Sequence, residues 1–418
     1  MSKQQEHDCD SLAKNFISVE EAIDNILSSV KALATYECID IRSSLGRTLA
    51  ENITAPLDVP PHCNSAMDGY AIKFADISTS AETTLTVVGT SFAGHPYQGS
   101  IKSGGCIRIM TGAVMPEDTD TVIMQEQVDR EENIIHFSNP HKKGQNVRHS
   151  GEDMQKGTTV LTMGRLINSA DLGLLASMGI SDVKVIRKPK VVFFSTGDEL
   201  KSIGEALDTG NIYDSNRYTL FGLLKTLDVD VIDMGVIPDQ KEAIEAAFQT
   251  ASQQGDMLIT SGGVSVGEAD FVTETLEKLG HVGFWKIAVK PGKPLAFGEI
   301  NNCLFFGLPG NPVSVMATFA LFVRPALQKL KGLADTKPKQ LPAICDSHLK
   351  KTVGRKDHQR CIYFQDEHGK LHVTTTGMQG SHMLSSMSKA NCFIVLARES
   401  GDVGVGEEVL IYPFDGLI

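Results

Sequence analysis

The stretch that decides the fold lies between residues 257 and 312 and contains MLITSGGVSVGEAD (257–270), KPGKP (290–294) and PGNP (309–312). Its first four residues are apolar and predict a short buried strand. The strand runs into a glycine-rich turn, and the residues after the turn can begin a helix. A strand, a glycine-rich turn and a helix start together present backbone N–H groups to an anion. The stretch therefore predicts a phosphate-binding loop, although a glycine pair alone more often marks a tight turn.

Strands and helices alternate around this stretch. The pattern predicts strands at residues 191–195, 229–234, 257–260, 285–289, 295–297 and 304–308, and helices at 217–227, 240–253, 270–279 and 313–331. Short loops between such elements are typical of an α/β domain with a largely parallel sheet. In an open parallel sheet, ligands bind at the carboxyl ends of the strands. The polar residues that follow each predicted strand are therefore candidates for one site.

Three acidic residues, several lysines and two glycine-containing loops fall at these strand ends. The acids are expected to bind Mg²⁺, which prefers a few carboxylates together with phosphate oxygens, although each acid could instead cap a helix. Lys286 and Lys290 are four residues apart on a predicted strand and so can share a face, or can be ordinary exposed lysines. The candidates are Glu199, Asp239, Asp270, Lys286, Lys290, Lys293, Ser261, Gly262, Gly263, Ser265, Pro309, Gly310 and Asn311.

The regions on either side of this α/β pattern have different sequence patterns. A capping pattern beginning at Ser18 predicts a helix at residues 19–30, and Asn168 precedes a second amphipathic helix at 172–178. Short β-type runs separated by turn residues predict a compact β module between residues 84 and 138. Similar runs after residue 338, including a well-marked hairpin at 366–370, predict a separate small β domain.

Composition limits the function classes. A chain of 418 residues is too long for one core, and its net charge of −12 argues against an extended nucleic-acid-binding face. The eight cysteines contain no C-x-x-C pair and the twelve histidines no metal-binding spacing, so neither a zinc site nor a disulfide framework is expected. Long apolar runs and a signal peptide are also missing from the pattern, which predicts a cytoplasmic protein without a membrane segment.

Eight motifs in order resemble the molybdopterin molybdenumtransferase family, the MoeA proteins and the E-domain of gephyrin. The resemblance covers nearly the whole chain, and the combination is very specific although any single motif could occur by chance. The motifs are NSAMDGYA (64–71), RIMTGA (108–113), GED (151–153), STGDEL (195–200), IYDSN (212–216), SGGVSVG (261–267), KPGKP (290–294) and GLPGNP (307–312).

The resemblance implies the last step of molybdenum cofactor synthesis. Molybdate is expected to enter adenylylated molybdopterin in the presence of Mg²⁺, with release of AMP. The implied architecture has a two-segment mixed domain (16–55 plus 149–187), an inserted β-rich domain (56–148), an α/β substrate-binding domain (188–337) and a C-terminal β-barrel-like domain (338–418). Transient contacts with the adenylyltransferase and with cofactor-accepting enzymes are also implied.

The family further implies a homodimer whose active cleft lies between subunits. Asp68 and Thr111 would then face the rim that carries Lys290 in the other subunit. Asp153, Arg360 and Ser381 fit positions that bind substrate in the family. The chain departs from the family at His62-Cys63, where an aromatic residue and an acid are usual, so no role for that acid is carried over.

Two other functions fit parts of the pattern. The α/β domain could adenylylate molybdopterin, as related domains do, but the motif at residues 64–71 and the flanking domains favour molybdenum insertion. A non-enzymatic scaffold similar to the gephyrin E-domain is the third reading, and the candidate catalytic acids argue against it. Both water and a molybdate oxygen remain as nucleophiles, and tungstate remains as a second substrate.

Overall fold

The computed structural model describes residues 16–78, 81–138, 140–262, 275, 278–334, 336 and 339–414. Contacts divide the chain into two compact units, one of residues 38–185 and one formed by the residues before and after that segment. Gly263, Ser265, Asp270 and most of the predicted helix at 270–279 lie outside the described residues. The division into four domains stays a prediction.

Helices occupy both units. Within the described residues the α-helices are α1 (Val19–Ser29), α2 (Ser169–Ser177), α3 (Ser215–Thr226), α4 (Lys241–Gln254), α5 (Pro312–Thr318), α6 (Arg324–Leu330) and α7 (Leu384–Lys389). A π-helical turn, Phe319–Val323, joins α5 to α6.

Strands form most of the rest. They are β1 (Tyr36–Asp40), β2 (Ile53–Thr54), β3 (Asn64–Ser65), β4 (Gly69–Ile72), β5 (Thr83–Ser91), β6 (Gly105–Ile109), β7 (Thr121–Met124), β8 (Asp129–Glu131), β9 (Ile134–Phe137), β10 (Val147–Arg148), β11 (Thr159–Leu161), β12 (Asp182–Ile186), β13 (Lys190–Thr196), β14 (Leu200–Lys201), β15 (Ile212–Tyr213), β16 (Asp230–Ile237), β17 (Met257–Ser261), β18 (His281–Lys286), β19 (Val289–Lys290), β20 (Pro294–Ile300), β21 (Cys303–Leu308), β22 (Leu341–Cys345), β23 (Lys356–Gln365), β24 (Leu371–Thr375), β25 (Cys392–Leu396) and β26 (Glu408–Pro413).

Local capping explains where α1 and α2 begin. The hydroxyl of Ser18 accepts a hydrogen bond from the backbone N–H of Glu21 at 3.0 Å, as the capping pattern predicts. Asn168 and Asp171 form a reciprocal capping box at the start of α2, in which each side chain accepts from the other residue's backbone N–H. Both predicted helices are confirmed, because side chains satisfy the first N–H groups of each one.

The six-stranded sheet of the larger unit has the order β16-β13-β17-β21-β20-β18. The first four strands are mutually parallel, while β20 and β18 are each antiparallel to their neighbour. Because the strand direction reverses at β20 and again at β18, β18 ends at the same edge of the sheet as the four parallel strands. The predicted largely parallel α/β domain is confirmed, with an antiparallel extension on one side.

Alternating side chains of the sheet build two cores. Val191 and Phe193 of β13 pack in one apolar cluster with α1, α3, α5 and α6, while Val192 and Phe194 pack against α4 in the other. The continuous helix Pro312–Leu330 is long and apolar enough to cross a membrane, but 83% of that window is buried inside the protein. Its apolar composition is explained by its place in the core.

The predicted strand at residues 285–289 is wrong. In the structure β18 ends at Lys286, and Val289–Lys290 forms the separate strand β19, which pairs in parallel with β23. The sequence gives no signal of this change of sheet, because the residues that follow Lys286, Ile287 to Val289, are apolar and buried like those of a continuing strand. Lys286 and Lys290 therefore do not share a face of one strand, and that prediction is also wrong.

The β-rich regions form their own sheets. In the smaller unit, six strands are arranged in the order β7-β4-β6-β5-β9-β8. In the larger unit, β23, β24, β22, β26 and β25 form a closed five-stranded barrel, because β25 pairs with both β26 and β23. The expected β-rich module and small barrel are both confirmed.

His372 on β24 of this barrel lies between two carboxylates. Its Nδ1 is 2.9 Å from Asp346 Oδ1, and its Nε2 is 3.4 Å from Asp366 Oδ2. The hydrogen bond to Asp346 and the charges of both acids raise the pKa of His372 above its usual value. A raised folded-state pKa contributes stability that is complete below about pH 6.5 and is lost as the pH rises through the folded pKa.

We predict that His372→Gln lowers thermal stability more at pH about 5.5 than at pH about 8.5, because only the protonated imidazole bonds both acids. Thermal unfolding midpoints of wild type and variant across this range measure the effect. His368→Gln is the matched control, since it removes an exposed histidine from the same hairpin and should leave the midpoint unchanged. A deficit for His372→Gln that is constant with pH would contradict the prediction.

Candidate functional site

The carboxyl edge of the six-stranded sheet collects the predicted residues of the larger unit. We call this edge the rim, defined by residues 197–199, 238–239, 261–262, 286–294 and 309–312. Each group follows the end of β13, β16, β17, β18 or β21. The prediction that these loops converge on one edge is confirmed by the strand directions.

The centre of the rim is held together by Asn216, the second residue of α3. Its side-chain amide donates to Ser261 Oγ at 2.9 Å and to the carbonyl of Gly310 at 2.7 Å. The backbone N–H of Gly262 donates to the carbonyl of Leu308 at 3.2 Å. One amide group therefore fixes the glycine loop after β17 against the proline-glycine turn after β21.

Gly262 occupies a position that only glycine accepts easily. Its φ is +94°, and a Cβ there would lie 2.8 Å from the carbonyl oxygen of Thr196. Ser195 Oγ and Asn216 Oδ1 are buried close to this turn and have no hydrogen-bond partner among the residues that the structure describes. Buried polar atoms normally have partners, so these atoms fit a rim that gains contacts from water or a ligand.

Three carboxylates gather at the β16–β13 side of the rim. The backbone N–H of Asp239 lies 3.3 Å from Asp198 Oδ1, and all three acids are exposed. Partial burial, followed by repulsion from Asp198 and Glu199, raises the pKa of Asp239 above its usual range. Asp198, Glu199 and Asp239 thus lie at one side of this edge, and the role of Glu199 and Asp239 as metal ligands stays a prediction.

Mg²⁺ fits this group on electrostatic grounds. Partial burial is the main cause of the raised pKa of Asp239, and a divalent cation would offset the repulsion from Asp198 and Glu199 that adds to it. Among the described residues, however, no group of three or more His, Cys, Asp or Glu could hold a metal ion. A cation here would need further ligands, and Asp270 or phosphate oxygens of a substrate are suitable by chemical type.

The lysines lie toward the opposite side of the rim. Lys290 Nζ is 3.1 Å from Asp357 Oδ2, and Lys293 Nζ is 5.0 Å from the centre of the Phe16 ring. Lys286 is exposed at the end of the edge strand β18. Because β16 and β18 are the two outer strands, their separation is about 24 Å, given an inter-strand spacing near 4.8 Å. The rim is therefore acidic at one end and basic at the other.

The barrel brings Arg360 and Ser381 to the rim. The N–H of Val313, directly after the rim turn 309–312, donates to the carbonyl of Ser381 at 3.1 Å. Arg360 is 1% exposed, and its guanidinium donates to Ser386 Oγ at 2.7 Å and to the carbonyl of Gly380 at 3.1 Å. Burial lowers the pKa of Arg360, yet an arginine remains charged in proteins.

Asp68 and Thr111 form the candidate site of the smaller unit. Asp68 Oδ1 accepts from the Thr111 backbone N–H at 2.7 Å and from its hydroxyl at 2.8 Å. These two bonds, and then the charge of Arg108, hold the pKa of Asp68 below its usual range. The turn before Asp68 is fixed too, because Gly112 N–H donates to the carbonyl of Ser65 at 2.8 Å. Asp68 is thus an oriented, ionised carboxylate as well as a turn residue.

Asp153 lies at a second position in the smaller unit. Its side chain is exposed, and its backbone N–H donates to the carbonyl of Val59 at 3.0 Å. An open hollow of about 400 Å³ lies between residues 151–155 and 158–160, and Asp153 contributes to its wall. This placement gives Asp153 access to solvent, and its predicted role in substrate binding stays a prediction.

Two residues that hold the rim are not among the predicted site residues. Asn216 belongs to the motif at residues 212–216, but nothing in that motif indicates that its side chain bridges two loops. Asp357 carried no motif signal, since its contact with Lys290 depends on β19 pairing with β23. Asp357 begins the buried part of β23, residues 357–361, and an acid among buried residues is a signal that could have indicated a charged partner.

Comparisons with known proteins agree with this architecture. Family models match the MoeA N-terminal region (domain I and II) at residues 17–179, the probable molybdopterin binding domain at 193–329 and the MoeA C-terminal region (domain IV) at 342–414. The fold and the rim therefore define a class of multidomain protein, built around an α/β domain that matches the probable molybdopterin binding domain. The chain belongs to the MoeA family of molybdopterin molybdenumtransferases.

Individual relatives match over nearly the full length. The chain is 48% identical over 404 residues to the molybdopterin molybdenumtransferase of Haemophilus influenzae, covering 96% of this chain and 100% of that one. It is 35% identical to gephyrin of Dictyostelium discoideum, covering 96% of this chain and 63% of gephyrin. A crystal structure of the molybdopterin biosynthesis MoeA protein of Pyrococcus horikoshii is similar with a TM-score of 0.84 and 30% identity, covering 96% and 100%.

We predict that Gly262→Ala lowers the free energy of unfolding by about 2 kcal/mol, because alanine is strained at the positive φ of this position and its Cβ would meet the Thr196 carbonyl. Urea unfolding monitored by circular dichroism measures the loss. Gly310→Ala is the matched control, since its Cβ would meet nothing nearer than Gly262 Cα at 4.0 Å. Equal stability losses in the two variants would show that the backbone of Gly262 is not specially constrained.

Proposed function

We propose that this protein is a molybdenum insertase, which transfers molybdenum from molybdate into adenylylated molybdopterin and releases AMP. The observation that carries the proposal is the rim itself, with a carboxylate group at one end, a glycine loop in the centre and lysines with Arg360 at the other. Names of full-length relatives at up to 48% identity support it. A non-enzymatic role has no comparable support from the rim.

The two substrates suit two parts of the rim. The glycine loop, which Asn216 fixes against the carbonyl of Gly310, suits the phosphates of a nucleotide-linked substrate. The exposed lysines suit the molybdate dianion, and the buried Arg360 holds the segment of Ser381 beside them. The protein's own contribution is to bind and orient both ligands before the phosphoanhydride bond breaks, in a site whose charges are already in place. The sulfur ligands for molybdenum come from the substrate's dithiolene.

Mg²⁺ is proposed as the cofactor at the acidic end. Glu199, Asp239 and Asp270 would hold it, with Asp198 contributing negative charge. When bound, the ion would neutralise phosphate charge and stabilise the departing phosphoryl group. Without a cation, the repulsion among these acids would also oppose binding of a phosphate.

A homodimer is proposed to complete the site. Asp68, hydrogen-bonded to Thr111 and ionised, would face the basic end of the rim in a second copy of the chain. The family resemblance supports this arrangement, together with an oriented carboxylate for which the smaller unit has no evident structural need beyond the turn. We also propose that the protein acts in the cytoplasm and contacts the adenylyltransferase and cofactor-accepting enzymes transiently.

The deciding experiment incubates the purified protein with adenylylated molybdopterin, Mg²⁺ and molybdate. We predict that molybdate stimulates AMP release, and that the product activates a cofactor-free molybdoenzyme. Chelation of Mg²⁺ and the variant Asp270→Asn should each abolish AMP release while circular dichroism shows a folded protein. Bound substrate without molybdate-stimulated AMP release would overturn the proposed function.

A mixing experiment tests the shared site. We predict that Asp68→Asn and Lys290→Ala are each inactive alone, and that mixed dimers recover about a quarter to a half of wild-type activity, because half of the sites in a heterodimer are intact. Mixing two samples of Asp68→Asn is the control for reassembly. If heterodimers form and no activity returns, Asp68 and Lys290 do not act across subunits.

A further inference from the structure

The ammonium group of Lys290 is held on one side by Asp357. Lys290 Nζ lies 3.1 Å from Asp357 Oδ2, within hydrogen-bond distance. The Asp357 side chain is 5% exposed, whereas that of Lys290 is 42% exposed. A nearly buried carboxylate therefore anchors a lysine whose remaining surface is open to solvent.

Backbone pairing brings the two residues together. In the short parallel pair of β19 and β23, Lys290 lies opposite Asp357 and Val289 opposite Lys356. The N–H of Lys356 also donates to the carbonyl of Ala288 at 2.8 Å. The loop that carries Lys290 is thus attached to the barrel by its main chain, and this pairing keeps the Lys290 and Asp357 side chains next to each other.

The carboxylate is itself fixed from the barrel side. Gln359 Nε2 donates to Asp357 Oδ2 at 3.2 Å and to the carbonyl of Lys350 at 2.9 Å. Burial lowers the pKa of both Lys351 and Arg360, and the negative charge of Asp357 acts against that shift in each case. Asp357 is therefore a buried anion shared by three cations, of which Lys290 is the most exposed.

We propose that Asp357 is a positioning residue for Lys290, and that it holds the ammonium group ready for an incoming oxyanion. An ammonium has three N–H donors, so one can bond Asp357 while the others remain for the ligand. A free lysine loses much conformational entropy when a ligand immobilises it. The contact with Asp357 already restricts the conformations of the Lys290 side chain before the ligand binds. The inference rests on the proposed function, in which the oxyanion is molybdate.

The test combines single and double variants. Asp357→Asn keeps the shape of the side chain and removes its charge. It is expected to raise the KM for molybdate about tenfold while kcat falls less than about threefold, as removal of a binding-only interaction does. Because Lys290→Ala is itself expected to be inactive, the double variant is compared with it by molybdate binding in a calorimeter. There Asp357→Asn is expected to weaken binding by less than about twofold, since both residues act through one ammonium group.

Glu20→Gln provides the matched control. It breaks the ion pair between Glu20 and Lys356, the residue next to Asp357 on the same strand, and should leave the KM for molybdate unchanged. Asp357→Glu, which keeps the charge, should recover part of the affinity lost in Asp357→Asn. An unchanged or lowered KM in Asp357→Asn, or a full additional loss in the Lys290→Ala background, would overturn the proposal.

Binding of molybdate alone separates this proposal from the proposed function. Isothermal titration calorimetry on the same variants is expected to show weaker molybdate binding in Asp357→Asn than in wild type, with no such difference when Lys290 is alanine. That result would support the positioning role even if AMP release were not stimulated by molybdate. If Asp357→Asn does not fold, Gln359→Met, which removes one bond to the carboxylate, is expected to raise the molybdate KM about threefold, and no rise would overturn the proposal.

Discussion

The parallel alignment of β13, β16, β17 and β21 is the constraint on which the rest of the larger unit depends. Four strands that run in one direction must release their chains at one edge. After β13, β16 and β21 the chain then turns back through α3, α4 and α5, respectively. Polar residues placed directly after the strands are therefore concentrated at that edge, whereas the apolar residues of the strands are buried between two layers of helices. The antiparallel β20 and β18 extend the edge without reversing it, because β18 again ends on the same side.

Charge is distributed along this edge rather than mixed. Asp198, Glu199 and Asp239 are gathered at the β16–β13 side, and Lys290 and Arg360 are supplied from the side of β18 and the barrel. Between them, Asn216 fixes two neutral loops against each other. In the proposed function, Mg²⁺ would occupy the acidic end and molybdate the basic end, with the nucleotide-linked substrate between them. The barrel brings Arg360 and Asp357 to the rim, and the β23–β25 pairing that closes the barrel holds the strand that carries both residues.

The regular elements were predictable because their causes are local. The capping residues Ser18 and Asn168 predict the starts of α1 and α2. The alternation of apolar strands with helices predicts the parallel part of the sheet. The resemblance to the MoeA family was visible in eight ordered motifs. What remained hidden depends on pairing between distant segments: the transfer of Val289–Lys290 to another sheet, the bridge made by Asn216, and the anchoring of Lys290 by Asp357. No periodicity in the sequence encodes which buried strand lies beside which, and Asp357 is 67 residues from its partner.

A crystal structure of the protein soaked with Mg²⁺, AMP and tungstate tests whether cation and oxyanion bind at opposite ends of the rim. Tungstate has the shape and charge of molybdate and a strong anomalous signal, so its position can be assigned without ambiguity. We expect an anomalous peak within hydrogen-bond distance of Lys290 and of the segment that includes Arg360 and Ser381. We also expect the phosphate of AMP beside the glycine loop after β17. Tungstate bound at the carboxylate group, or AMP bound away from the rim, would contradict it.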